Sequence, residues 1–318
     1  MRAITVPAFG GPEVLRAAEV GPPEPKPGEV SIDVAYAGAN FAEILYRRGV
    51  VDVPLPYVPG IEVSGRVRAL GPGVEGLRVG EPVAALTIVD GGGYAEVVTA
   101  SADLVAPLGG LGLGLDVAAA VPSNGATAFL VLDRVARIEP GESVLVHAAA
   151  GGVGSQLGQA ARLLGAGTVA GTVGSPAKAE AARGFGYDDV RLRDDPYGGP
   201  YDIVVDMVGG PARQRSLDAL APMGRLVVMG NASGADDVAV AANELWFTNR
   251  TVSGFNLAAF SAADPAGAGR ALRRALAAAA SGDLRVQVEA LPLDEAAEAH
   301  RRIESGATTG KLVLAVNP

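Results

Sequence analysis

The stretch Val146–Gly154 reads VHAAAGGVG and combines the residue types that a phosphate-binding turn needs. Gly151 and Gly152 carry no Cβ that would keep a phosphate away from the backbone, and Gly154 permits close packing of a helix on a strand. An apolar strand precedes the stretch and an amphipathic helix follows it, whose first N–H groups attract anions. The strict GxGxxG spacing is not matched. We interpret the stretch as a dinucleotide pyrophosphate turn, with a packing turn that binds nothing as the alternative.

The next predicted strand, Thr168–Val173, bears on which dinucleotide binds. NAD-specific sites place an acidic residue about 20 residues after the glycine turn, where it accepts hydrogen bonds from the ribose hydroxyls. Here Gly174 and Ser175 follow the strand, and no acid does. Lys178 lies in the first turn of the following helix, where a cation opposes the helix dipole unless an anion is present. With Arg193 approaching from the side, this favours NADPH over NADH; two solvated surface charges are the alternative.

Composition excludes several classes of protein. The chain of 318 residues has no cysteine, which removes thiolate catalysis and every cysteine-based zinc site. Its two histidines, His147 and His300, are too far apart to form a local metal motif. The net charge of −9 argues against nucleic-acid binding as the main task. No apolar run of about 18 residues is free of Gly, Pro or charge, and no signal-peptide core is found, so we expect a cytoplasmic protein.

The pattern of apolar residues changes near Pro122. Before it, short alternating segments separated by Gly and Pro predict a barrel-like β module with strands at Val30–Ala37, Pro59–Gly71, Leu77–Leu86 and Tyr94–Thr99. After it, strands alternate with helices, which predicts a parallel, doubly wound sheet. Its predicted strands are Ser143–Ala148, Thr168–Val173, Ile203–Asp206 and Leu226–Met229, and its helices Val153–Leu164 and Ser175–Arg183. The last segments, assigned to neither region by pattern alone, are a helix at Pro265–Ala280, Val286–Ala290, a helix at Asp294–Glu304 and a strand at Lys311–Val316.

Most of the remaining polar and aromatic residues are predicted to be structural. His147 lies inside an apolar strand and is interpreted as a core histidine. His300, flanked by charges on a helix, is expected to be solvated. Glu62 is interpreted as a structural acid that bonds nearby backbone or an arginine, and Trp246 as a packing residue.

These motifs together resemble the zinc-free, zeta-crystallin-like quinone oxidoreductases of the medium-chain dehydrogenase/reductase superfamily. The resemblance rests on HAAAGGVG…GTVGSPAKAEAA, GNASG (230–234), SGFNL (253–257), the NFAD-like Asn40–Glu43, Pro59–Gly65 and the terminal TGKLVL. It implies an α/β protein with a GroES-like β-rich catalytic domain, residues 1–121 and 258–318. An inserted Rossmann domain with a doubly wound parallel sheet, residues 122–257, would bind NADPH in the cleft between them. It also implies a homodimer paired around Thr251–Phe255.

The resemblance also assigns site residues. The expected cofactor-binding residues are Asn40, Thr127, Gly151, Gly152, Val153, Gly154, Gly174, Ser175, Lys178, Arg193, Val208, Gly209, Asn231, Ser233, Phe255, Asn256 and Lys311. Arg193 departs from the tyrosine that is common in the family, although a guanidinium is at least as good a phosphate partner. Gly60-Ile61-Glu62 stands where zinc-dependent relatives carry Gly-His-Glu, so no metal is expected.

The function predicted first is hydride transfer from NADPH to a quinone-like acceptor, whose negative charge delocalises without a metal. One alternative is a zinc-free enone or enoyl reductase, in which Tyr46 would protonate an enolate. Tyr57, like Tyr46, is expected to wall the cleft. Another alternative is an NADPH-binding structural or regulatory protein with little turnover. No catalytic residue is assigned; the weak candidates are Asn40, Tyr46 and Thr127.

Overall fold

A computed structural model describes all 318 residues, which form two units with separate internal contacts. The first unit contains Met1–Ala126, Leu257–Gly282 and Val286–Pro318. The second contains Thr127–Asn256 and Asp283–Arg285. The domain boundaries expected from the sequence, 121/122 and 257/258, stay a prediction.

The chain forms strands and helices in the following order. The strands are β1 (Arg2–Thr5), β2 (Arg16–Glu19), β3 (Glu29–Ala39), β4 (Glu62–Leu70), β5 (Pro82–Leu86), β6 (Val97–Ser101), β7 (Val105–Pro107), β8 (Ser143–Val146), β9 (Thr168–Val173), β10 (Asp189–Leu192), β11 (Tyr201–Asp206), β12 (Leu220–Val228), β13 (Thr251–Gly254), β14 (Val288–Pro292) and β15 (Lys311–Ala315). The helices are α1 (Phe41–Arg47), α2 (Leu115–Ala119), α3 (Pro122–Phe129), α4 (Gly152–Leu163), α5 (Pro176–Arg183), α6 (Pro211–Asp218), α7 (Ala242–Thr248), α8 (Leu257–Ala263), α9 (Pro265–Ser281) and α10 (Ala296–Glu304). None of the helices is both long and apolar enough to cross a bilayer.

The first unit is built around β3, the longest strand of its main sheet. The strand order is β14-β15-β3-β4-β5-β7, and β6 also pairs with β3. All of these pairs are antiparallel except β14 with β15. Val30, Ile32, Val34 and Ala37 of β3 are completely buried and belong to the main apolar core of the unit. The last strand of the chain, β15, therefore lies beside one of the first.

The second unit contains a six-stranded sheet in the order β10-β9-β8-β11-β12-β13. All five pairs are parallel, and the strand order reverses between β8 and β11. The central residues of β8 and β11 are apolar and buried, as expected where helices cover both faces of a parallel sheet. The predicted doubly wound parallel sheet is confirmed. In sheets of this topology ligands bind where the order reverses, beyond the carboxyl ends of the strands.

Three local predictions need correction. The strand predicted at Leu226–Met229 begins six residues earlier, at Leu220, and ends at Val228. The strand predicted at Leu77–Leu86 begins only at Pro82, because Gly76 and Gly80 adopt φ values of +79° and +83° and form turns. The helix α1 was not predicted, since its seven residues are too few to show a helical period.

Candidate cofactor and active site

The glycine turn follows β8, at the point where the strand order reverses. Gly151 has an extended backbone (φ −79°, ψ 178°) and precedes the first residue of α4. A Cβ on Gly154 would lie 2.9 Å from the carbonyl carbon of Ala148, so only glycine lets the helix start this close to the strand. Gly151, Gly152 and Val153 stay partly accessible. The turn thus presents the free N–H groups of a helix start to the edge where a dinucleotide binds.

Two cations meet at the end of the neighbouring strand β9. The Arg193 guanidinium lies against Gly174, where a Cβ would come within 3.2 Å of its Cζ atom. Ser175 is extended and precedes α5, and its side chain does not cap the helix. Burial, followed by the charge of Arg193, lowers the pKa of Lys178. Two mutually repelling cations beside a helix start form a suitable site for a phosphate group.

The loop after β11 is held by Asp206, a buried residue that sequence analysis missed. Its carboxylate accepts hydrogen bonds from the backbone N–H groups of Val208 (2.7 Å) and Gly209 (2.9 Å). The Nε atom of Arg213 donates to the same carboxylate at 3.0 Å, and its Nη2 atom donates to the carbonyl of Gly230 at 2.8 Å. Because these bonds join the ends of β11 and β12, they fix the shape of both loops.

Four of the expected cofactor residues follow β12 and β13. Asn231 donates to the carbonyl of Ala235 at 2.8 Å and accepts from the Ser233 hydroxyl at 3.0 Å. The N–H of Phe255 donates to the Val228 carbonyl at 2.9 Å, and Asn256 comes next in the chain. The structure therefore brings Asn231 and Ser233 together with Val208 and Gly209, and places Phe255 and Asn256 after the edge strand.

A cluster of buried charges occupies the first unit, where three strand ends meet. Leu312 pairs with Ala39 in the sheet, which puts Lys311 opposite Asn40. The Lys311 ammonium, in a residue only 3% exposed, donates to Asn40 Oδ1 and to Glu62 Oε1. Asn40 Nδ2 donates to Glu62 Oε1 at 2.8 Å, and Glu62 Oε2 accepts from the N–H of Ser123 at 2.7 Å. The amide of Asn40 is therefore held at both ends.

Glu43 adds a second carboxyl group to this cluster. It is fully buried, and its Oε1 atom accepts from the N–H of Ile61 at 3.1 Å. Its Oε2 atom has no hydrogen-bond partner. Burial raises the pKa of Glu43 to about 7, with Glu62 adding to the rise and Lys311 opposing it. Sequence analysis gave Glu43 no role of its own and named it only as the last residue of the NFAD-like motif Asn40–Glu43.

The other predicted residues are distributed as follows. Tyr46 and Tyr57 meet edge to face with ring centroids 6.0 Å apart. Burial raises the pKa of both phenols, so both keep their protons at neutral pH. Thr127 is buried on α3. Lys311 binds Glu62 and Asn40 of its own unit.

The two histidines are both buried. His147, 1% exposed, is confirmed as a core histidine, and burial lowers its pKa to about 4. The prediction that His300 is solvated was wrong. The Arg47 guanidinium donates to its Nδ1 atom at 3.1 Å, its Nε2 atom lies 3.2 Å from the Tyr94 hydroxyl, and burial lowers its pKa to about 3. The flanking residues Glu298 and Arg301 suggested that His300 is exposed, but residues adjacent on a helix point in different directions.

Trp246 also departs from its prediction. Interpreted as a packing residue, it is 71% exposed on α7 and stacks on Phe247, which is 75% exposed, with centroids 4.7 Å apart. The prediction rested on its place before the last strand of the sheet, but α7, which carries it, buries none of its residues in this chain.

Comparison with known proteins first defines the class. Residues 26–110 match the family described as alcohol dehydrogenase GroES-like domain, and residues 185–314 match zinc-binding dehydrogenase. Nowhere in the 318 residues do three or more His, Asp or Glu side chains come together as a group that could hold a metal ion. The chain thus has the two-part architecture of these dehydrogenases, a GroES-like β unit and a Rossmann-like parallel sheet.

Individual relatives define the family. A quinone oxidoreductase of Pseudomonas aeruginosa is 34% identical, over 96% of this chain and 97% of that protein. The crystal structure of Escherichia coli quinone oxidoreductase complexed with NADPH superposes with a TM-score of 0.91 at 32% identity, covering 99% of this chain and 100% of that one. The human synaptic vesicle membrane protein VAT-1 homolog is 31% identical over 100% of this chain and 87% of its own length. The chain belongs to the quinone oxidoreductase family of the medium-chain dehydrogenase/reductase superfamily, as its motifs predicted.

The raised pKa of Glu43 predicts how stability changes with pH. The folded pKa of about 7 lies above the ordinary value of 4.5. Below pH 4.5 the carboxyl is neutral in both the folded and the unfolded state, so it does not oppose folding. Between pH 4.5 and about 7 the carboxyl ionises in the unfolded chain but stays protonated in the folded protein, so the free energy of unfolding falls by about 3 kcal/mol across this window. We expect Glu43→Gln to raise the urea midpoint relative to the wild type at pH 8 and to have a much smaller effect at pH 4.5.

Glu62→Gln is the matched control, since it removes the carboxylate that Lys311 binds. It is expected to lower the free energy of unfolding at neutral pH by about 3 kcal/mol, and the urea midpoint with it, because a buried ammonium loses its counter-charge. A Glu43→Gln effect that is the same at both pH values would contradict the protonation of Glu43.

Proposed function

We propose that this protein is an NADPH-dependent quinone oxidoreductase that transfers hydride to a quinone-like acceptor without a metal. The observation that carries the proposal is the pair of cations, Lys178 and Arg193, beside a glycine turn and with no acid after β9. This arrangement fits a dinucleotide with a 2′-phosphate. The names of the relatives supply the acceptor class. Metal-free chemistry is supported by the absence of cysteine and by Ile61 at the position of a zinc-ligating motif.

Different groups of residues would bind and orient the separate parts of NADPH. Gly151–Gly154 would hold the pyrophosphate, and Gly174, Ser175, Lys178 and Arg193 the 2′-phosphate. Val208, Gly209, Asn231, Ser233, Phe255 and Asn256 would line the cofactor from the loops that follow their strands. Asn40 and Thr127 would lie near the nicotinamide, with Lys311 holding the amide of Asn40. When bound, NADPH supplies the hydride.

A quinone needs little further help from the protein. The negative charge left by hydride addition delocalises over the ring, and water can protonate it, so positioning and exclusion of bulk water carry the catalysis. This fits a site whose Asn40 amide is already held by Glu62 and Lys311 rather than by an acid–base pair.

A second candidate is an enone or enoyl reductase. Here hydride addition leaves an enolate that a fixed acid must protonate. Tyr46 favours it, because its half-buried phenol stays protonated at neutral pH and lies on the helix that follows Asn40. The alternative of an NADPH-binding protein with little turnover finds support in the VAT-1 relative, whose name describes no reaction.

We also propose a cytoplasmic homodimer. The strand β13 is the edge of its sheet and pairs on one side only, with β12. Next to it in the chain, α7 exposes the stacked pair Trp246 and Phe247. Exposed aromatic patches of this kind usually mark interfaces, and an edge strand is completed by pairing with a second copy.

A parallel steady-state screen tests the reaction. With 1,4-naphthoquinone and an α,β-unsaturated ketone as acceptors, we expect NADPH oxidation with the quinone, and about tenfold or greater preference for NADPH over NADH. Incubation with 1,10-phenanthroline should leave the rate unchanged. Turnover of the enone alone would contradict the quinone assignment, and tight NADPH binding without oxidation by any acceptor would favour the low-turnover alternative.

The cation pair predicts the effect of removing Lys178. Lys178→Ala should weaken NADPH binding by about 10- to 100-fold, because a charge-assisted bond to the 2′-phosphate is lost. NADH, which lacks that phosphate, should bind as before in a fluorescence titration. Lys26→Ala, which removes an exposed lysine from the first unit, is the control. Equal losses for both cofactors would contradict the assigned role.

The exposed aromatic pair predicts a change of assembly. The double variant Trp246→Ser, Phe247→Ser should shift the protein from dimer to monomer in sedimentation velocity, since the interface loses about 200 Å² or more of apolar surface per protomer. Val79→Ser, which removes an exposed apolar residue elsewhere, should remain dimeric. A wild-type monomer at micromolar concentration would contradict the proposed dimer.

A further inference from the structure

The side chain of Arg215, on α6, binds the backbone of the segment that carries Arg193. The Nη1 atom of Arg215 donates to the carbonyl of Arg193 at 2.9 Å, and its Nη2 atom donates to the carbonyl of Asp195. The Arg215 Cζ atom also lies 3.9 Å from the centroid of the Tyr197 ring. Arg215 thus binds both the backbone of this segment and the aromatic ring at its end.

The stack continues into the core through His147. Its ring centroid lies 4.8 Å from that of Tyr197. The Ser216 hydroxyl donates to the carbonyl of Ala212 at 2.7 Å, so it must accept from the Nε2–H of His147, 2.8 Å away. The Nδ1 atom of His147 then accepts from the Thr172 hydroxyl at 2.8 Å. A neutral histidine at the head of the glycine turn therefore ties β9 to the helix that carries Arg215.

The Arg193 guanidinium packs against Gly174 and forms no hydrogen bond or ion pair of its own, so its position depends on how its backbone is held. The side chain is exposed and repels Lys178. Asp194 and Asp195 follow it directly, so a shift of the segment by one residue would bring a carboxylate to the place where the guanidinium lies. The backbone of Arg193 is anchored at both polar groups: its N–H donates to the Val173 carbonyl of β9 at 2.8 Å, and its carbonyl accepts from Arg215. Further along the segment, Arg215 binds the carbonyl of Asp195, and the Tyr201 hydroxyl donates to the Tyr197 carbonyl at 2.8 Å.

We propose that Arg215 is a positioning residue for cofactor selection. By binding the carbonyl groups of residues 193 and 195 and stacking on Tyr197, it holds the Arg193 guanidinium beside Lys178, where the pair receives a 2′-phosphate. The inference rests on the proposed preference for NADPH. Arg215 contributes to selection through Arg193 rather than through a contact of its own with the phosphate.

The test uses the full-length protein and two probes, 2′,5′-ADP and 5′-AMP, which differ by the 2′-phosphate. Arg215→Gln should weaken 2′,5′-ADP binding by about tenfold and leave 5′-AMP binding within about twofold, as measured by calorimetry. Tyr197→Leu, which keeps every charge, should shift the balance in the same direction. Arg162→Gln is the matched control: Arg162 also binds backbone carbonyl groups in this unit, at residues 167 and 186, away from Arg193.

A double-mutant cycle separates positioning from direct contact. If Arg215 acts through Arg193, the variant Arg193→Ala, Arg215→Gln should bind 2′,5′-ADP no more weakly than Arg193→Ala alone. Additive losses would overturn the inference, as would equal losses for 5′-AMP in Arg215→Gln. A wild type that binds both probes equally would instead overturn the proposed NADPH preference, so the two failures are distinguishable.

Discussion

The contact between Gly154 and the carbonyl group of Ala148 determines where α4 begins, and the cofactor site depends on it. A side chain at residue 154 would push the helix away from β8 and move the N–H groups of the glycine turn. The parallel order of the sheet then places the ends of β9 and β11 at the same edge. Lys178, Arg193 and the Asp206-bound loop are useful only because they lie at the edge that this contact defines.

The buried charges of the first unit follow a second constraint. Glu62 crosses over Gly38, where a Cβ would lie 2.6 Å from its carboxyl carbon, and so reaches Lys311 and Asn40. One ammonium can balance one buried carboxylate, and a second buried negative charge is expensive. Burial raises the pKa of Glu43, and the charge of Glu62 adds to the rise, so Glu43 keeps its proton below about pH 7.

The sequence predicted features that depend on neighbouring residues of one strand or helix, and it did not predict contacts between residues that are far apart in the chain. The strand Thr168–Val173 and the helices near 152–163 and 176–183 were predicted within a residue or two, because their apolar periods are local. His147 and His300 show the limit. Both are buried, but only His147 lies in an apolar run, and the partners of His300 come from residues 47 and 94. The cluster of Glu43, Glu62 and Lys311 was missed for the same reason, since its members are far apart in the chain.

The sequence by itself determined the parallel sheet, the glycine turn and the lack of an acid after β9, because each of these depends on residues that are close together in the chain. It also carried the family resemblance. Only the tertiary structure decided which charges meet: the strand register put Lys311 opposite Asn40, and the packing of α6 put Arg215 under Arg193. Such contacts join residues that are neighbours in space alone, and their energies depend on burial, which no local pattern specifies.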